Sequence, residues 1–468
     1  MKPVYPVATL GQIEASWAAH PTQAKGSLMA AAAQSFVAAY SHYLSGQVSV
    51  LVVAGPGNNG GDGYCIAKLL MMAQVAVQLY APLGNPAPES DAYAERVAFL
   101  SAGGVELSSW PSGSAGVIVD ALFGIGLNRP LQAPALAVVQ AINRSGAIIL
   151  SVDIPSGLAA SNGQPLPESV QAQATHSFIG YTPGLLTHWG PSCAGRISLD
   201  RLGIAEQGRW RFHPELDGLP MRSGNTHKSE QGTVHVVGGR NNMAGAAILS
   251  AQAALSAGAG RVYLYCDKAF FSAAVSRAPE LMTLESLQLG DNQAGCYVLG
   301  PGLGRDSGAA DMCKAIIGPA STGVMDADAL RFLADHRRPV PGWVLTPHEG
   351  EAAALLGVSS QAIRADRAGA ALAIAQTYQA VTVLKGAGTL VAHGESLTFC
   401  QPGAAAMATP GMGDCLAGII GALLAQGLGA DRAAVQGVNW HAQLGTQLAL
   451  KQRVVLASDI IERLKYVP

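Results

Sequence analysis

Charge is scarce in this chain. Only 13% of its 468 residues are Asp, Glu, Lys or Arg, and they sum to a formal net charge of −2. That balance excludes a long solvated arm and leaves no basic footprint for nucleic acid or an anionic membrane. The seven cysteines, at positions 65, 193, 266, 296, 313, 400 and 415, contain no Cys-x-x-Cys pair. Their scatter excludes the usual zinc spacing and predicts reduced thiols in a cytoplasmic protein. No apolar run reaches the ~20 residues of a membrane span, and Met1-Lys2-Pro3-Val4-Tyr5-Pro6 does not open a signal peptide. A soluble protein is expected.

Glycine, in contrast, is abundant at 56 residues, and 49% of the chain is hydrophobic. That composition fits helices packed closely on sheets, and the length calls for two or three domains with their own cores.

One stretch organises the rest. Thr409-Pro410 leads into Gly411-Met412-Gly413-Asp414-Cys415-Leu416, and an apolar run continues to Ala425. This predicts a turn opening a buried helix at Cys415. Free N–H groups at a helix mouth favour negative charge, and the two glycines let a ligand approach the backbone. Asp414 there can take a proton from a hydroxyl beside a phosphoryl group. Its plainer reading is an N-cap.

In the first half, Val48–Ala54 reads as a buried strand, followed by the loop Gly55-Pro56-Gly57-Asn58-Asn59-Gly60-Gly61-Asp62-Gly63 and a helix from Tyr64 to Met72. Strand, glycine-rich loop and helix make a nucleotide or phosphate cradle, although neither Gly-x-Gly-x-x-Gly nor a Walker loop is present. Two later strands end in acids, Asp120 and Asp153, the second followed by Ile154-Pro155-Ser156-Gly157. Parallel sheets collect ligands at strand carboxyl ends. Asn58, Asn59, Asp62, Asp120, Asp153 and Ser156 therefore form a candidate site, whose hard oxygens suit a cation.

Together with Asp120-Ala121-Leu122-Phe123-Gly124-Ile125-Gly126-Leu127, these blocks resemble the NAD(P)H-hydrate epimerases of YjeF N-terminal type over roughly residues 10–215. The resemblance implies a Rossmann-like three-layer αβα domain that interconverts the C6 epimers of hydrated NADH and NADPH (NADHX and NADPHX). It implies that Asn58, Asn59, Gly60, Gly61, Asp62, Gly124, Ile125, Gly126, Leu127, Asn128, Arg129, Pro130 and Asp153 line the substrate. It also implies that Asn59, Asp120 and Ser156 hold a potassium ion, with Asp153 the catalytic acid/base. There are departures: Ala30 follows Leu28-Met29 where many relatives have an acid, and a common lysine is replaced around Thr182.

Arg201–Gly224 mixes charge, Pro, Trp and Gly without a period, which predicts a linker and domains at 1–215 and 216–468. Beyond it, Gly300-Pro301-Gly302-Leu303-Gly304 can admit a flat ligand against bare backbone or make a tight turn. Leu345-Thr346-Pro347-His348-Glu349-Gly350-Glu351 places a histidine at a strand end. Lys385-Gly386-Ala387-Gly388-Thr389 offers one cation plus N–H and hydroxyl donors to a phosphate.

With Asp326-Ala327-Asp328-Ala329-Leu330 and Gly411–Asp414, these ordered blocks resemble the ADP/ATP-dependent NAD(P)H-hydrate dehydratases from about residue 225 onward. The resemblance implies a ribokinase-like α/β domain that phosphorylates the C6 hydroxyl of the S epimer and eliminates phosphate. Ala246, Gly302, His348 and Asp414 would touch the hydrated nucleotide, with Asp414 as base. Lys385, Gly386, Ala387, Gly388, Thr389 and Gly413 would hold ADP, accompanied by Mg2+. Met412 replaces a small polar residue of that family. The partners expected are NADHX, NADPHX, ADP and further copies of the chain in a homo-oligomer, with no nucleic acid and no membrane. A second reading is a ribokinase-superfamily small-molecule kinase fused to a non-catalytic nucleotide-binding domain.

Overall fold

The computed structural model describes residues 1–20, 27–45, 48–113, 115–285, 295–318 and 320–466. Two compact units divide between Gly208 and Arg209.

In the first unit seven strands pair in the order Glu106–Leu107, Ala76–Tyr80, Ser49–Ala54, Val117–Ala121, Ile148–Val152, Ala174–Phe178, Arg196–Asp200, every pair parallel. Side chains alternate across a strand, and the cores follow that period. Val50, Val52 and Ala54 join Val117, Val119 and Ala121 on one face, against helix residues such as Phe36 and Ile66. Leu51, Val53, Ile118 and Ile149 pack the other face against Val138, Val139 and Ile142. Burial on both faces explains why these strands are continuous apolar runs instead of alternating ones. The result is the three-layer αβα sandwich. The chain reverses its direction of travel between Ser49–Ala54 and Val117–Ala121, which opens a crevice at their carboxyl ends.

The second unit repeats the device. Its parallel strands lie in the order Met282–Leu284, Arg261–Tyr265, Thr233–Val237, Cys296–Leu299, Gly323–Met325, Trp343–Leu345, Val381–Leu384. The hairpin Leu390–His393 and Ser396–Cys400 extends the sheet antiparallel. Helix Met412–Ala425 is apolar almost all round and lies in the core with Ala244–Ser256 and Ala430–Ala449. Its Gly418 and Gly421 are packing residues: a Cβ on Gly418 would stand 2.2 Å from Ser250 O.

Three boundaries differ from expectation. The first helix after Ser49–Ala54 begins at Asn58, not Tyr64. Its glycines buy proximity, since a Cβ at Gly60 would meet Gly55 O at 1.8 Å and one at Gly63 would meet Ala121 Cβ at 2.7 Å. That close approach outweighs the ~1 kcal/mol helix cost of each glycine. The late helix likewise begins at Met412, not Cys415. Finally, residues 209–215 are not linker. Trp210–His213 pairs with Ser396–Cys400, and Asn439 Nδ2 donates to the carbonyls of His213 and Glu215 at 2.8 and 2.9 Å.

Candidate active sites

In the first unit four segments meet at the crevice. Asn59, one residue into its helix, is buried, and its Cβ would lie 3.2 Å from a Cβ on Gly124. The next residue of that loop, Ile125, donates its N–H to the Asp153 carboxylate, as does Phe178. Phe123 N–H donates to Ser156 Oγ at 2.8 Å, and Ser156 Oγ donates to Asp120 Oδ1 at 2.6 Å. Asp120 also accepts from Ser156 N–H and Ser151 Oγ, at 2.9 and 2.8 Å. Thus Asn59, Asp120, the Gly124 loop, Asp153 and Ser156 are one constellation. Gly60 and Gly61 belong to its packing, whereas Asn58, Gly126, Asn128, Arg129 and Pro130 are exposed at its mouth and Leu127 is half-buried.

Asp153 ends its strand with φ +65°, an uncommon conformation for a non-glycine residue that is worth a functional explanation. Burial pushes its pKa up to about 7, with Glu14 adding repulsion. Asp62 is raised well above its usual range by burial, then by Asp153 and Glu14, and Glu14 itself is raised by burial. Three half-buried acids therefore gather at one crevice, and each is pushed toward its protonated form.

In the second unit the candidate residues occupy the carboxyl ends of five adjacent strands. Ala246 lies in the first turn of the helix after Thr233–Val237, and Gly302 in the loop after Cys296–Leu299. Asp326, His348 and Lys385 follow Gly323–Met325, Trp343–Leu345 and Val381–Leu384. Lys385 Nζ donates to Asp326 Oδ1 at 2.7 Å and stands 3.9 Å from Glu351 Oε2. Thr346 Oγ1 donates to the same Asp326 oxygen at 2.8 Å. A Cβ on Gly413 would be 3.1 Å from Lys385 Nζ, so the glycine keeps the lysine beside the helix mouth. The N-cap of that helix is Gly411, in the left-handed region at φ +86°. Capping therefore does not explain Asp414, which stands in the first turn. Burial raises its pKa to about 7, reinforced by Asp326 and Glu351 and opposed by Lys385. Burial works against charge on Lys385, yet Asp326 and Glu351 outweigh it and raise its pKa.

The family model described as NAD(P)H-hydrate dehydratase matches residues 234–465, and the YjeF-related protein N-terminus matches residues 25–184. The bifunctional NAD(P)H-hydrate repair enzyme of Escherichia coli (strain K12) is 39% identical over 439 residues, covering 89% of this chain and 84% of its own length. Its namesake from Coxiella burnetii is 34% identical over 438 residues, with 89% of each chain covered. The chain belongs to the bifunctional NAD(P)H-hydrate repair enzyme family. A solved ribokinase-like superfamily protein from Enterococcus faecalis superposes with a TM-score of 0.52 and 27% identity, over 55% of this chain and 94% of that one.

For a member of this family, several site residues escaped the sequence reading. Glu14 sits on helix Val7–Ala18, far in sequence from every motif, and no local signal marks it. Asp326 was within reach as one more acid at a strand end. Glu351 closes a capping box with His348: Gly350 and Glu351 N–H donate to His348 Nδ1 at 3.0 and 3.2 Å, while His348 N–H donates to Glu351 Oε2 at 2.8 Å. His348 is thus a helix cap, and its Nε2 stands 3.4 Å from Glu351 Oε1. Gly302 is also partly structural, because a Cβ there would stand 2.4 Å from Met243 O.

The donor sets answer differently for the two expected cations. Asn59 Oδ1 and Nδ2 are buried without a partner, a cost of ~1–3 kcal/mol per atom unless something binds. That orphaned amide belongs to the same crevice as Asp120 and Ser156, and its free oxygen suits a large monovalent cation. Magnesium meets no such set. Among the described residues no group of three or more His, Cys, Asp or Glu side chains converges to hold a metal.

Proposed function

We propose that the first unit epimerises R- and S-NAD(P)HX at C6 and that the second dehydrates the S epimer with ADP, releasing NAD(P)H, AMP and phosphate. The observation that carries the reading is that each unit gathers acids at the carboxyl ends of its parallel strands, Asp153 beside the Gly124 loop in the first and Asp414 beside Lys385 and Asp326 in the second.

In the first site, protonated Asp153 gives its proton to the C6 hydroxyl as the C–O bond breaks. The nicotinamide nitrogen supplies the electrons. Water then adds from the opposite face, and Asp153 takes the proton back. Asn58 to Asp62 and Gly124 to Pro130 line the nucleotide. Asn59, Asp120 and Ser156 would hold potassium, which supplies a fixed positive charge beside the buried acids.

In the second site hydroxide is too poor a leaving group, so the hydroxyl is first converted to a phosphate ester. Asp414 removes the O6 proton, and the hydroxyl attacks the terminal phosphoryl group of ADP, releasing AMP. Lys385 and the free N–H groups at Gly413 stabilise the charge on the transferred group. Loss of the C5 proton together with phosphate restores the double bond of NAD(P)H. Ala246, Gly302 and His348 border the hydrated nucleotide, and Lys385 to Thr389 hold ADP.

The test uses the full chain with an equilibrated mixture of NADHX epimers, followed by NADH absorbance. ADP should drive both epimers to NADH. Conversion without a nucleotide, or accumulation of a stable phosphorylated product, would reject the reading.

A further inference from the structure

Arg367, the first residue of helix Arg367–Tyr378, is 3% exposed, which is rare for arginine. Its Nη1 donates to Glu349 Oε1 at 2.8 Å. Its Nη2 reaches the carbonyls of Leu384, Lys385 and Gly388 at 3.3, 3.3 and 3.2 Å. One guanidinium thus lies beneath the Lys385–Thr389 loop and ties it to the helix that His348 caps.

A peptide unit is planar, with its C=O and N–H pointing in opposite directions. Holding the Lys385 and Gly388 carbonyls inward therefore turns the Gly386 and Thr389 N–H groups outward. Neither amide donates to another backbone carbonyl among the described residues. Gly386 completes the fit: it takes φ +149°, and a Cβ there would stand 2.6 Å from Arg367 Nη1. The glycine leaves room for the cation below, and not only for a ligand above.

We propose that Arg367 is a positioning residue for the nucleotide. Its buried fork sets the Lys385–Thr389 loop so that Lys385 and two outward N–H groups meet the phosphates of ADP. The proposal rests on the dehydratase reading above.

Arg367→Lys keeps the positive charge toward Glu349 but replaces a planar fork with a single point donor. In the full chain, calorimetric titration with ADP is expected to show Kd raised by about tenfold or more. The KM for S-NADHX at saturating ADP should stay at the parental value. A variant with a lowered melting temperature and parental ADP affinity would overturn the proposal, because the arginine would then be merely structural. Arg367→Ala gives a second reading. Added guanidinium is expected to restore ADP binding where ammonium at equal ionic strength does not; equal recovery, or none, from both overturns it. If that variant does not fold, Arg367→Lys alone decides. A parental chain that takes up no ADP would overturn the dehydratase reading itself, a result distinct from loss confined to the variants.

Discussion

Lys385 and Asp326 form a buried ion pair, 2.7 Å between Nζ and Oδ1, at the ends of strands that are not neighbours in the sheet. Asp326 is 2% exposed, so the lysine neutralises a carboxylate that water does not reach. The same lysine is the cation offered to ADP. Lys385→Met should therefore destabilise the second unit by about 3 kcal/mol by stranding Asp326, and should also weaken ADP binding. Adding Asp326→Asn should recover most of the stability and none of the affinity. Recovery of both would remove Lys385 from the nucleotide site.

Asp414 works as a base only when deprotonated, and its pKa is raised to about 7. Dehydration of S-NADHX, read as kcat/KM, should therefore rise with pH through about 7 and level off above it. Asp414→Asn should fold and epimerise normally while dehydration falls by at least about a hundredfold. Dehydration that is flat with pH, or that survives the substitution, rejects Asp414 as the base.

Much of this was legible in the sequence because the strand-end rule is local. A β-branched run followed by Asp or Lys placed Asp120, Asp153 and Lys385 at strand ends without any structure, and paired glycines before an apolar run placed Asp414 at a helix mouth. What the sequence hid depends on tertiary distance. Gly60 and Gly63 look like loop residues but are helical, because only the fold shows Gly55 and Ala121 pressed against them. Glu14 reaches the Asp153 pocket from the N-terminal helix Val7–Ala18, far away in sequence. Arg367 reads as one more surface cation until its burial is seen.

Asp153 carries a stability signature of opposite sign to a salt-bridged acid. Its folded pKa is raised to about 7, with burial as the main cause. Between its ordinary range near pH 4 and about pH 7, the folded chain binds a proton that the unfolded chain has released. Stability from this group is therefore present in acid and lost as pH rises. Asp153→Asn removes that loss, and asparagine also tolerates φ +65°. The variant should be more stable than the parent at about pH 8, by about 1 kcal/mol or more, with the gap closing near pH 4. In the same variant the R epimer should persist in the presence of ADP while the S epimer is still cleared. Clearance of both at the parental rate, beyond spontaneous exchange, would dismiss Asp153.

The unpartnered amide of Asn59 leads to the last expectation. A buried Asn with neither Oδ1 nor Nδ2 satisfied costs the fold more than an apolar residue of its size would, unless a bound group repays it. Potassium can do so through Oδ1, alongside the oxygens of Asp120 and Ser156. Binding to the folded chain alone raises the melting temperature by mass action. KCl should therefore raise the melting temperature of the first unit above that seen in choline chloride of equal ionic strength. Asn59→Leu should abolish the difference, and in choline alone it should be no less stable than the parent because no polar atom is left stranded. A potassium shift that survives Asn59→Leu would place the cation elsewhere. No shift in the parent would mean that the amide waits for the nucleotide itself, which a thermal shift with added NADPH can then show.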